Sequence, residues 1–403
     1  MTTTSHRSPA TLEIAGLDAT LQPFGQSQMM PAEAYTSDVV FAWEQRHLFA
    51  GTYTCVGRED ELRTPGSDGR LLTQRAVMVG DVHVLLTWSD DDEATVRALA
   101  NTCRHRAHEL LDADTANSRQ SIVCPYHAWT YDLSGQVRAA PGYKEVPGFD
   151  ASAHSLVALP VHRWHGWLFV HAAASLESGD AFPFDQFIGD LEGLVAPYTP
   201  EALVLGDRHT YVVEANWKVI AENYHECYHC PLIHPELCQV TPPSSGDNYD
   251  LPGAWVGGGM VLRDGMQTMS ISGESGGRPI PGVSPTAVEY LGLIPNLLIS
   301  AHPDYVMAHR LVPLSPGRTW VECSWYFPDT GDDAAIDPSY AVEFWDITNK
   351  QDWDACESVQ RGLASPHVQP GPFSPSEDAV HMFVTTIARA YRGQPIHEPA
   401  GNL

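Results

Sequence analysis

The sequence predicts an α+β protein in two parts, the first all-β and the second mixing strands with helices. Three observations carry this. From about residue 45 to 175, short runs rich in β-branched and aromatic residues follow one another with glycine-marked turns between them. Longer strand-like runs fill much of the second half. Two stretches there, roughly 216–230 and 338–364, have the pattern of helices. A chain of 403 residues with 43% hydrophobic content is long enough for two cores.

In chain order, residues 1 to about 30 are rich in Thr, Ser and Pro without periodicity and read as a loose arm. "SDVVFAWEQRHLF" reads as a short helix from about residue 38, capped by Ser37 or Asp38, so 1–44 forms an arm with one helix. The runs "TYTCVG", "LLTQRAVMVGDVHVLLTW", "SIVCPYHAWTYDL" and "HGWLFVHAA" are the strands of an all-β domain over 45–175. "FPFDQFIGDLEGLVAP" is helical in pattern and opens a second domain over 176–403. That domain has strands in "ALVLGDRHTYVVEANW", "YLGLIPNLLIS", "YVMAHRLVPL" and "TWVECSWYF". The Gly-, Ser- and Pro-rich stretch 241–287 is long enough to be a lid or an entrance.

Net charge is −27, from 50 acidic against 23 basic residues. Such a surface repels phosphates and excludes nucleic acid as a partner, while permitting a cationic substrate. No apolar run reaches the length of a membrane span, and no basic-then-apolar leader is visible, so a soluble cytoplasmic protein is expected. In that reducing compartment, clustered members of the eight cysteines are expected to be ligands rather than disulfides.

Two clips stand out. In "CRHRAHELL", Cys103 lies two residues before His105; in "CPYHAWTYDLSG", Cys124 lies three before His127. Zinc is the plain alternative for a Cys₂His₂ set. A zinc finger, however, pairs Cys with Cys and His with His, whereas each clip here offers one thiolate and one imidazole. That arrangement suits a [2Fe–2S] cluster with Cys103 and Cys124 on one iron and His105 and His127 on the other. The two clips resemble the cluster signature of the Rieske non-haem iron oxygenases, with Ala128 where a Gly often stands. The resemblance covers almost the whole chain. It implies an antiparallel β-sandwich for the Rieske domain, Tyr126 and Trp129 shielding the cluster, and a helix-grip α+β catalytic domain on an antiparallel sheet.

The segment "NWKVIAENYHECYHCPLIHPEL" is dense in ligand types, and Cys227-x-x-Cys230 with His229 keeps zinc open there as well. Glu226 and His229, at i and i+3, would share a helix face. Pro231 would end that helix and free His234 to swing toward the metal held by His229. Two imidazoles need a carboxylate to complete a facial triad for iron(II). On the late helix, Asp352 falls on the stripe Trp345, Asp352, Cys356, Val359, Leu363, which reads as a buried face, and Asp354 falls on the wet side. A carboxylate on an apolar face is costly unless paired or metal-bound, so a buried ion pair is the alternative for Asp352.

The resemblance implies that His229, His234 and Asp352 hold iron(II), and that Glu226 links this site to His127 of a neighbouring subunit. It places Asn223 near the iron. Cys227 and Cys230 become packing residues, and His225 a surface or supporting residue. The family's cycle implies a flavin and iron–sulfur reductase that draws electrons from NAD(P)H, with O₂ as co-substrate. The cross-subunit route implies a homotrimer. Glu at 226 within "ECYHC" looks closest to choline, glycine betaine and carnitine oxygenases. The expected reaction is therefore hydroxylation or N-demethylation of a small quaternary ammonium compound, with Tyr224, Tyr228, Trp255 and Tyr290 as candidate cage rings. The alternative is hydroxylation or O-demethylation of an aromatic or hydrophobic compound.

Overall fold

The computed structural model describes residues 8–89, 95–331 and 337–397. It divides into two compact units, Glu44–Phe184 and the remainder, Met1–Trp43 with Asp185–Leu403.

The Glu44–Phe184 unit is built from antiparallel strands. Its centre is a five-stranded sheet in the order Ala116–Asn117, Gln74–Val79, Val82–Trp88, Val96–Ala100, Ala158–Leu159. Alternation along Val82–Trp88 sends its side chains to two faces. Val84, Leu86 and Trp88 join one core, which also takes in Val56, Leu168 and Val170 from a three-stranded sheet. Leu85 faces the other core, shared with Leu99, Cys103, Cys124, Trp129 and Tyr131. The two cysteines thus enter a packed interior because one strand keeps its period of two.

The second unit is organised on a seven-stranded antiparallel sheet. Its strands are β1 (Leu203–Val213), β2 (Asp247–Asn248), β3 (Trp255–Val261), β4 (Ala287–Leu293), β5 (Leu297–Ala301), β6 (Val306–Ser315) and β7 (Arg318–Pro328). They lie in the order β1-β7-β6-β5-β4-β3-β2. Five helices carry the argument below: α1 (Trp217–Tyr224), α2 (Cys230–Ile233), α3 (Pro235–Val240), α4 (Ser339–Leu363) and α5 (Asp378–Tyr391). Asn216 caps α1, its side chain accepting from the Lys218 amide. The late helix spans α4, and Trp345, Cys356 and Leu363 are buried along it, whereas Val359 is 49% exposed. The expected apolar stripe is therefore interrupted near its end.

Several expectations are corrected. The N-terminal segment from residue 8 is packed: it forms a helix at Ile14–Thr20, buries Leu12, Leu17, Met30 and Tyr35, and pairs Asp18 with Arg392 at 2.6 Å. Its low periodicity hid enough apolar side chains to anchor it. Ser37 serves as the cap of Asp38–Glu44, its hydroxyl accepting from the Val40 amide. The helical pattern at 182–197 is split into Phe184–Ile188 and Leu191–Val195 by Gly189. Gly189 has φ +54°, and a Cβ there would lie 2.1 Å from the Pro252 carbonyl oxygen. The stretch 241–287, expected as an unpacked lid or entrance, holds strands β2 and β3 and is therefore in part packed into the sheet.

Gly292 on β4 has a comparable role near the site. A Cβ there would come within 2.4 Å of the His225 ring, the residue that ends α1. Gly292→Ala is expected to destabilise the protein by about 1–3 kcal/mol through overpacking, read as a lowered thermal midpoint at fixed metal content.

Candidate metal centres and substrate cavity

The two clips of the β unit are built alike. In each, the Cys amide donates to the carbonyl five residues on, Cys103 to His108 and Cys124 to Trp129. The residue four after each Cys donates back to the Cys carbonyl, Ala107 at 3.0 Å and Ala128 at 3.0 Å. Both alanines have positive φ, 56° and 57°, the left-handed region that a Gly occupies without strain, so each loop is held in this turn against a Cβ. Cys103 and Cys124 are buried free thiols, and burial pushes the Cys124 thiol up. A thiolate is held there only with a cation to stabilise it. The His105 and His127 rings lie 4.7 Å apart at the rim, His127 exposed. Desolvation, with the positive charges of His105, Arg106 and His108, lowers the His127 pKa and favours the neutral ring that binds metal. Buried sulfurs below two partly exposed imidazoles fit a Rieske cluster. Trp129, 1% exposed, stacks on His105; Tyr126 lies over His127 but is 53% exposed, so only the tryptophan shields.

The second centre lies in the larger unit. The helix expected over 216–230 ends at Tyr224, and residues 225–229 form a turn. Glu226 therefore meets His229 without sharing a helix face. Its carboxylate caps the turn, accepting from the Tyr228 and His229 amides, and its other oxygen accepts from His229 Nδ1. Pro231 does not end a helix but sits in the first turn of α2, where its missing N–H costs nothing. His234 occupies the junction of α2 and α3. Its Nδ1 donates to Gln351 Oε1 at 2.7 Å, while the Gln351 amide nitrogen reaches Glu236 at 3.5 Å.

With both Nδ1 atoms held as donors, the two Nε2 atoms turn their lone pairs toward each other, 3.2 Å apart. Asp352 Oδ1 lies 2.8 Å from His234 Nε2 and 3.4 Å from His229 Nε2. Three electron-pair donors converge with no hydrogen of their own to place between them. A proton can reconcile them: burial opposes it, but the Asp352 and Glu226 carboxylates outweigh burial and hold His229 up at about 9. A divalent cation satisfies all three at once, and two imidazoles with one carboxylate are the donor set that suits iron(II). His229, Cys230 and His234 also lie within 4.8 Å of one another. The Cys230 sulfur, however, is bonded to Cys227, so it offers no thiolate. That bond corrects the expectation of unbridged cysteines at 227 and 230.

Above these residues opens a cavity of about 440 Å³. Asn223 and Glu226 line it, as do Tyr224 and Tyr290. Tyr228 is 64% exposed and is not among the lining residues, and Trp255 is buried outside it, bonded to the Pro252 carbonyl. Trp345, Thr348, Asn349, Asp352 and Trp353 enter the cavity from one face of α4. His225 is buried rather than on the surface, and desolvation lowers it to about 3. Sequence reasoning missed Gln351, although it directly precedes Asp352, and it missed Trp353 and His309, whose roles depend on sheet and helix meeting.

A family model described as "Rieske [2Fe-2S] domain" matches residues 33–150, and one described as "Ring hydroxylating alpha subunit (catalytic domain)" matches 200–393. The glycine betaine monooxygenase oxygenase subunit of Chromohalobacter salexigens is 30% identical over 396 residues, covering 89% of this chain and 85% of the relative. The chain belongs to the Rieske oxygenase alpha subunits. The carnitine monooxygenase oxygenase subunit of Acinetobacter baumannii is 29% identical over 341 residues, covering 83% of this chain and 85% of the relative. The fold is also that of a quaternary ammonium Rieske monooxygenase solved with gamma-butyrobetaine, with TM-score 0.70, 24% identity, and coverage of 98% and 100% of the two chains. As a Rieske oxygenase subunit, this chain is a non-haem iron oxidoreductase with a [2Fe–2S] domain and an iron-dependent catalytic domain, and it works with a reductase on a small molecule. Among the described residues, no helix is long and apolar enough to cross a membrane.

One turn before Glu226, Glu222 is half-buried and accepts from the Tyr35 hydroxyl at 2.7 Å. Burial raises its pKa from 4.5 to about 7, outweighing Tyr35 and Lys218. The folded state favours the neutral carboxyl, so its contribution is fully present below 4.5 and is lost as pH rises to about 7. Stability should fall by up to about 3 kcal/mol across that window, and Glu222→Gln should remove this component in a pH series of urea titrations.

Proposed function

We propose that this subunit hydroxylates or N-demethylates a small quaternary or tertiary ammonium compound. The observation that carries the reading is the cavity directly above His229, His234 and Asp352, walled by Tyr224, Tyr290, Trp345 and Trp353 and edged by carboxylates. Ring faces attract an ammonium group, and acids at the edge favour a cation over a neutral arene. The names of the relatives, which act on glycine betaine and carnitine, support the same substrate class.

His229, His234 and Asp352 would hold iron(II), and Cys103, His105, Cys124 and His127 the cluster. When bound, the two centres supply O₂ activation with electrons that a flavin and iron–sulfur reductase draws from NAD(P)H. The chain's own residues orient these groups. Glu226 fixes the His229 ring through Nδ1, and Gln351 fixes that of His234. Asn223 lines the cavity within reach of a bound substrate.

Glu226 is also read as the link to His127 of a neighbouring copy in a homotrimer. Exposed apolar side chains near each end support this: Tyr228 and Leu232, 64% and 87% exposed, flank His229, and Val123 and Tyr126 flank His127. The decisive experiment is NAD(P)H-dependent oxygen uptake with a surrogate reductase over a panel of ammonium and aromatic compounds. Substrate-coupled uptake with arenes alone would reverse the assignment.

Glu226→Gln should keep both metals yet lose about 10–100-fold in coupled turnover, the scale expected when a supporting ligand partner is removed. Normal single-turnover product yield would refute the link. Asp352→Ala should lose the mononuclear iron while the visible absorption of the cluster persists, checked by iron analysis beside the spectrum.

A further inference from the structure

We infer that the cavity recognises its substrate by positive charge alone, and so selects ammonium monocations without a carboxylate over zwitterions bearing the same headgroup. This rests on the ammonium reading above and narrows it. Among the described residues that line the cavity, none is Arg or Lys. Its two histidines outside the metal set carry no charge at neutral pH, since desolvation lowers His225 to about 3 and His309 to about 4. The acids are on the other side of the balance. Asp247 and Asp378 line the cavity, and neither has an ion-pair partner among the described residues; Asp378 accepts only a neutral hydrogen bond, from Asn248 at 2.8 Å. The charge of an iron(II) held below is offset by Asp352 and Glu226.

A substrate carboxylate drawn into this space would give up its water and meet no basic side chain, only a metal site whose charge Asp352 and Glu226 would already balance. Such a desolvated, unpaired charge costs several kcal/mol or is excluded. The available donors are uncharged. The Tyr290 hydroxyl and the Trp353 indole N–H are buried, line the cavity and have no hydrogen-bond partner among the described residues. They can serve an alcohol or a carbonyl oxygen at far smaller cost than a full negative charge. The net charge of −27 acts in the same direction, attracting a monocation but not a zwitterion.

The test is calorimetric binding to the full-length, metal-loaded protein at fixed ionic strength. The probes are choline, glycine betaine and the neutral tert-butyl analogue of choline. Choline should bind at least about tenfold more tightly than glycine betaine, with the neutral analogue weakest. The double variant Asp247→Asn, Asp378→Asn should shrink the gap between choline and betaine to about threefold or less. Added salt should weaken choline more than the neutral analogue in the unmodified protein, which tests the same electrostatics without a substitution. Glycine betaine binding as tightly as choline, with the neutral analogue weak, would overturn the inference and leave the ammonium reading intact. A neutral analogue equal to choline, or no binding by any of the three, would overturn the ammonium reading itself.

Discussion

Two hydrogen bonds at the far side of two rings govern the larger unit. Glu226 takes the Nδ1 proton of His229, and Gln351 takes that of His234. Each ring is thereby held as one tautomer with its Nε2 lone pair facing inward, where Asp352 already lies. Reversing either tautomer would put a proton between the donors and leave the supporting oxygen without a partner. An iron bound there would displace the proton these donors otherwise share but would require no change of tautomer or side-chain position, which is what a supporting shell contributes to metal affinity.

The surrounding fold serves this constraint. Glu226, His229 and His234 come from a broken stretch of helix, turn and helix, whose breaks let three side chains converge that a continuous helix would have splayed. Gln351 and Asp352 come from a single long helix, α4, anchored by Trp345, Cys356 and Leu363. The sheet closes the other side with Tyr290, Leu298, Met307 and His309. The β unit follows a different logic. There, two loops of identical hydrogen bonding and positive-φ alanines deliver one buried sulfur and one rim imidazole each. Spacing within a hairpin loop determines that site almost by itself.

That difference explains what could be read in advance. Cys103, His105, Cys124 and His127 were legible because each pair is local, separated by two or three residues within one loop. His229 and His234 were legible for the same reason. The path between them was not: the helical periodicity of 216–230 concealed the break after Tyr224, because a carboxylate that caps a turn and one that lies on a helix face have the same sequence spacing. Tyr228 and Trp255 were candidate cage rings because they are aromatic and near in sequence, yet one faces solvent and the other lies in the core. Trp345 and Trp353, which do line the cavity, stand more than a hundred residues from the histidines.

The sequence by itself determined the ligand types, the tight clips that group them, the amphipathic helix carrying Asp352 and the acidic character of the whole. These are consequences of local spacing and composition, which act over a few residues. The tertiary structure alone decided that Gln351 would support His234 and that the cavity would be walled by rings and acids without a basic side chain. Each of these depends on which distant segments the sheet and α4 bring within a few ångströms, and no local pattern encodes that distance.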